Sequence, residues 1–229
     1  AGDTDAVNVA HLKAGQTHYY SANATATGAG SNYNNDGAKA PGALAAGLSA
    51  AAGGAQSIAV GASANPTELS AIAVGSGAQA KSQGAVALGT GAGGGTANNT
   101  WGIAVGAGAG ANMVFGTENT AMGRNAGANV NGNTNVAISS APGQNVVGHN
   151  NLAMGMRPGL YLTGSSNIPF CQEAGSGTAA KSLAINNTVA LGTSASASAD
   201  SAIAIGKNSV GSASDGVAVG RGAQANGVR

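Results

Sequence analysis

The chain has 229 residues, of which 40 are glycine, 3% aromatic and only 7% charged, and nine basic against eight acidic residues leave a formal net charge of +1. So few large side chains exclude an ordinary globular core, in a class where about a quarter of residues are charged, while an apolar share of 43% excludes a disordered chain. Charges scattered singly give no basic stripe, so no nucleic-acid partner is expected, and no run approaches the ~18 apolar residues of a membrane helix.

Residues 1–20 differ from all that follows. Asp5-Ala6-Val7-Asn8-Val9-Ala10-His11-Leu12-Lys13 alternates Val7 with Val9 and then sets Leu12 three residues on, a pattern that fits a short strand passing into a helical turn. Residues 21–42 read as a polar linker ending in turn formers, Asn34-Asn35-Asp36-Gly37 and Pro41-Gly42. An array then occupies 43–229. Leu44-Ala45-Ala46-Gly47, Ile58-Ala59-Val60-Gly61, Ile72-Ala73-Val74-Gly75 and Val86-Ala87-Leu88-Gly89 are versions of one phrase, with glycines fourteen apart. A fixed period of this length is the mark of a repeat fold whose units cannot bury their apolar faces alone.

Each period holds a second alternating run after the glycine, as in Gly75-Ser76-Gly77-Ala78-Gln79-Ala80. Two short strands and two tight turns make one coil of a narrow all-β parallel solenoid. Between Gly47 and Gly220 about eleven such coils, stacked at ~4.8 Å, form a rod roughly 50 Å long. In the middle of the chain the period becomes sixteen, and Asn119, Asn135, Asn151 and Asn167 recur at that step. Equal spacing would stack these amides as a structural hydrogen-bonded ladder. The fourteen-residue step returns at Gly192, Gly206 and Gly220. Two insertions interrupt the array: 90–101, with the single tryptophan, and 156–181, with the single cysteine, Cys171. One cysteine forms no intrachain disulfide, and a small buried apolar role is expected for it over an interchain partner.

Strand side chains alternate, so Ile58 and Val60 point opposite to Ala59. A coil this narrow has room for alanine, which places the branched residues outside. Ile58, Val60, Ile72, Val74, Val86, Leu88, Ile103, Val105, Ile203, Ile205, Val217 and Val219 would then form one apolar ridge, too extensive for a monomer. A homotrimer packed about an axis along the solenoid follows as the expectation.

These phrases, with their Gly-x-x-Ala-x-Ala continuations, resemble the head domains of YadA-like trimeric autotransporter adhesins of Gram-negative bacteria over residues 43–227. The segment from Asp5 to Lys13 is similar to the neck connector of that family, with His11 where the family usually has Gln. The resemblance implies a left-handed parallel β-roll, three rolls about a threefold axis, and an outer-membrane anchor outside this segment. It also implies exposure on the bacterial cell surface, a role in virulence, and attachment to host cells or matrix proteins of the collagen, fibronectin or laminin type. Since the sequence stops in mid-repeat and the neck-like segment comes first, a longer parent protein is expected. Trp101, Arg157, Tyr161 and Phe170, all in the insertions, are the candidate ligand contacts.

No catalysis, metal or cofactor is expected. A left-handed β-helix acyltransferase repeats every six residues and needs a catalytic histidine, whereas His149 stands in a repeat turn where its counterparts are Thr117, Asn133 and Ser165. The three histidines and one cysteine have no ligand spacing, and the acids share no row of the kind a calcium roll needs. A rigid spacer with its adhesive site in another module is the alternative function. An ice- or crystal-binding solenoid is a more distant one, because no two-column threonine row is present.

Overall fold

The computed structural model describes residues 27–28, 30–93, 98–113 and 115–227. The neck-like segment 1–20 lies outside them. The described chain is an all-β parallel solenoid of about eleven turns without helix. Its spine is a twelve-stranded parallel sheet. The strands are Leu44–Ala46, Ile58–Val60, Ile72–Val74, Val86–Leu88, Ile103–Val105, Thr120–Met122, Val136–Ile138, Leu152–Met154, Ile168–Phe170, Val189–Leu191, Ile203–Ile205 and Val217–Val219. Register matches phrase to phrase, with Ala59 opposite Ala73 and Ala87 opposite Ala104. The central residue of each strand points into the coil, and Ala59, Ala73, Ala121 and Ala204 are fully buried there.

Each strand is entered through a leading corner and left through a trailing one. At the leading corner one residue takes a left-handed conformation, as at Gln56, Ser70 and Trp101. At the trailing corner stands the phrase glycine. A Cβ on Gly75, whose φ is +131°, would lie 2.6 Å from the carbonyl carbon and oxygen of Gly89 in the next coil. Backbones this close, at that φ, require glycine. Ser139 (φ 110°) and Cys171 (φ 94°) stand in this row. Cys171 is half-buried at this corner, not the buried apolar residue expected of it.

Where the period is fourteen, a coil is two-sided and alanine fills it. From Val86 the register steps to Ile103 and Thr120, then at intervals of sixteen through Val136, Leu152 and Ile168. The added residues open a third side. Asn98–Thr100 pairs with Phe115–Thr117, bridges run from Phe115 through Asn131 and Val147 to Thr163, and Leu162–Thr163 pairs with Leu183–Ala184. A wider coil needs larger filling, and Met113, Val130, Val146, Leu162 and Ile185 are buried inside this part.

The stretch expected as an insertion at 156–181 stays on the roll. Residues up to Asn167 complete an ordinary sixteen-residue coil, and the next step, Ile168 to Val189 through Phe170 and Leu191, is longer. Its surplus makes a small exposed hairpin bridged between Thr178 and Lys181. Pro169 occupies the central, inward position of its strand and pairs with Ala190. It has no N–H to give, and pairing with the preceding strand is reduced to Met154 opposite Phe170.

At the N-terminal end, residues 30–38 fold over the first coil. Asn32 Nδ2 donates to the carbonyls of Ala45 and Gly47, its Oδ1 accepts from Gly37 N–H, and Ala38 bridges to Ala52. Part of the stretch read as linker is thus packed on the roll.

Candidate functional site

Two rows of side chains stand on the outer face of the twelve-stranded sheet. The first strand position carries Ile58, Ile72, Val86, Ile103, Ile203 and Val217, and the third carries Val60, Val74, Leu88, Val105, Ile205 and Val219. Stacking at the strand spacing covers the flanks of each side chain and leaves the tips in water. Most are therefore half-buried, while Ile103 is 40%, Val217 60% and Val219 65% exposed. The rows continue with Val136, Ile138, Leu152, Met154, Ile168, Phe170, Val189 and Leu191, so the apolar face runs the length of the spine, broken in polarity only by Thr120.

Directly behind the leading corner lies the asparagine row. Asn135 Nδ2 donates to Asn119 Oδ1 at 3.0 Å and to the Gly148 carbonyl at 2.9 Å, while its own Oδ1 accepts from the N–H and the Nδ2 of Asn151. Asn119, Asn151 and Asn167 repeat the pattern, and all four are buried. Two further members close the ends. Asn99 Oδ1 accepts from the N–H and Nδ2 of Asn119, and Thr188 Oγ1 donates to Asn167 Oδ1 at 2.6 Å. Asn99 comes from three positions ahead of the row. Its amide fills the place left by Gly102, where a Cβ would sit 1.7 Å from Asn99 Nδ2.

A second ladder runs on the exposed side of the same corner, linking side chains to backbone. Thr117 N–H donates to Asn133 Oδ1, Asn133 N–H to His149 Nδ1, His149 N–H to Ser165 Oγ, Ser165 N–H to Asn186 Oδ1, and Asn186 N–H to Asp200 Oδ1. His149, exposed in its repeat turn, thus accepts a hydrogen bond from the preceding coil through Nδ1. At the corner between the second and third sides, Asn129 Nδ2 donates to Asn145 Oδ1 at 2.9 Å.

The family model for the YadA head domain repeat matches the chain twice, at 67–92 and 186–209. In these two stretches the chain matches YadA head repeats. Both matches fall on fourteen-residue coils, either side of the three-sided middle. A comparison with curated proteins finds no match.

On this roll the four candidate ligand contacts do not converge. Trp101 sits at the leading corner, 57% exposed, its ring against Gly84 of the coil below. Arg157 is at the trailing corner, 3.8 Å from Glu173 of the next coil. Tyr161 holds the outer corner between the second and third sides, half-buried, with φ 51°. Phe170 belongs to the apolar face, paired with Leu191 and 39% exposed, rather than to an outer loop. A large exposed residue that the phrases did not single out is Phe115, 63% exposed on the third side. Only its aromatic character marked it. Among the described residues no three His, Cys, Asp or Glu side chains gather as a metal set.

Proposed function

We propose that this head is the rigid, surface-exposed part of a trimeric bacterial adhesin, wound left-handed, with three copies joined through the twelve-stranded sheet. The observation that carries the reading is the continuous apolar face on that sheet, in a chain with YadA head repeats. An exposed patch of more than a few hundred Å² marks an interaction surface, and each branched side chain it buries contributes roughly 1.5–3 kcal/mol. Every copy presents the same ridge parallel to its own rod, and a closed ring about an axis along that rod covers all copies equally.

Host attachment belongs to the same proposal: a non-enzymatic role at the cell surface and in virulence, with collagen-, fibronectin- or laminin-type matrix proteins or cell receptors as partners. Three copies on one rod combine weak contacts through effective concentration. The competing reading, a stiff spacer for a fibre whose adhesive site lies in another module, is favoured by the scatter of Trp101, Arg157, Tyr161 and Phe170 over different sides of the coil. Purified chain should show three times its 21.4 kDa mass in light scattering. Coated collagen, fibronectin and laminin should then retain it. A trimer that none of these surfaces or cultured cells retains would leave the spacer.

A further inference from the structure

In three coils an acid and a base flank the same strand, always in the same order. Glu118 precedes Thr120–Met122 and Arg124 follows it; Asp200 precedes Ile203–Ile205 and Lys207 follows; Asp215 precedes Val217–Val219 and Arg221 follows. All six side chains are exposed. The acids stand at the leading corner and the bases at the trailing one, with the strand between them, so the two members of a coil are separated by roughly 15 Å of extended chain. The ion pair found among the described residues is Arg157 with Glu173, which involves none of the six.

We infer that these corners are the seams of the trimer, where the leading-corner acids of one copy pair with the trailing-corner bases of the next at the same level. The inference rests on the trimer reading above. In any closed ring of parallel rods whose sheets face the axis, the leading edge of one sheet adjoins the trailing edge of its neighbour. Every acid in these three coils then meets a base without leaving its level.

The pattern also fixes the axial register. A slip of one coil keeps Asp200 opposite Arg221 but sets Glu118 against Ser140 or Ala141, and an antiparallel arrangement places the charged C-terminal coils against Leu48, Ala55 and Ser63. Like charges or solvent-stripped single charges at an interface disfavour such alternatives. The apolar ridge repeats nearly identically from coil to coil and cannot by itself tell one level from the next. Glu68, which has Ser76 and Gly77 across its strand, takes no part.

The test reverses the bases, because Asp200 also accepts the Asn186 N–H and a change there would disturb the chain itself. The variant R124E/K207E/R221E should raise the trimer dissociation constant, measured by sedimentation equilibrium at low salt, by about tenfold or more (~1.4 kcal/mol). Much of that difference should disappear in 1 M salt, where the screening length is about 3 Å. Adding E118K and D215K to the same chain should recover trimer, although within one chain these residues are too far apart to pair. Far-UV circular dichroism of each variant checks that the roll is retained. Wild-type chain that sediments as a monomer overturns the trimer reading and this inference with it. A wild-type trimer whose dissociation constant is unchanged by base reversal, or is not recovered by the added lysines, overturns the seams alone.

Discussion

Asn135 is a buried amide whose two donors and one oxygen are all engaged, each with a neighbour in an adjacent coil. Removing it orphans groups on both sides at once: the Gly148 carbonyl loses its donor and the Asn151 N–H its acceptor, while Asn119 Oδ1 keeps only the backbone N–H of residue 135. A buried group left without a partner costs about 1–3 kcal/mol, so Asn135→Ala should destabilise the head by about 3 kcal/mol or more. Asn129→Ala removes an exposed amide from the outer corner and should cost about 0.5 kcal/mol or less. Urea unfolding of the two variants compares them, and equal midpoints would mean the inner row carries no special weight. The sixteen-residue step made four members of this row legible. Asn99 and Thr188 escaped it because a ladder is built in space, not along the chain: Asn99 reaches in from three residues ahead only since Gly102 has no side chain. His149 escaped for a related reason. Its role depends on which backbone N–H lies one coil away, and the residue types in that column (Thr117, Asn133, His149, Ser165, Asn186) share only an acceptor atom.

The strand is the element whose two sides carry different duties. Alternation in Ile72-Ala73-Val74 was readable directly: alanine goes inside because backbones one coil wide leave no more room, and Ala73 is fully buried. The third side was not readable. Its outward positions hold Phe115, Asn131, Val147 and Thr163, a mixture with no alternation of polarity, and its existence follows from two or three surplus residues per coil. The second insertion is shorter than the phrase pattern suggests on the same ground, since Met156 to Asn167 lacks the phrase yet completes a regular coil. For the outer rows the prediction is direct. Ile72→Asp with Val74→Asp places two carboxylates per chain on the ridge without touching the interior. The variant should run as a folded monomer in light scattering, with the circular dichroism of the parent. An unchanged oligomer mass would remove this face from the interface.

At the scale of the whole rod, the arrangement separates assembly from recognition. With the apolar face taken up along its length by the proposed trimer, a ligand contact would fall to the corners and to the second and third sides. Those surfaces are lined mainly by Ser, Asn, Thr, Gly and Ala, on which single large residues stand out. Trp101 and Phe115 lie on adjacent coils, because Phe115 pairs with Asn98 and Thr117 with Thr100, the residue before Trp101. Tyr161 stands farther along the rod at another corner. Cutting out 157–180 to test recognition would remove Asn167 and the strand Ile168–Phe170 and so break both the ladder and the sheet. Point changes avoid this: Trp101→Ala with Phe115→Ala, and separately Arg157→Ala with Tyr161→Ala, leave every buried group in place. Large aromatic and Arg side chains are the residues whose truncation most often costs 2 kcal/mol or more at an interface. Three copies multiply that loss in a polyvalent contact. If the head itself adheres, one of the two pairs should reduce retention on a matrix-coated surface by at least about tenfold while the trimer mass stays unchanged. Retention equal to the parent for both pairs would move the contact to the polar second side, and its absence in the parent would assign the rod a spacer's role.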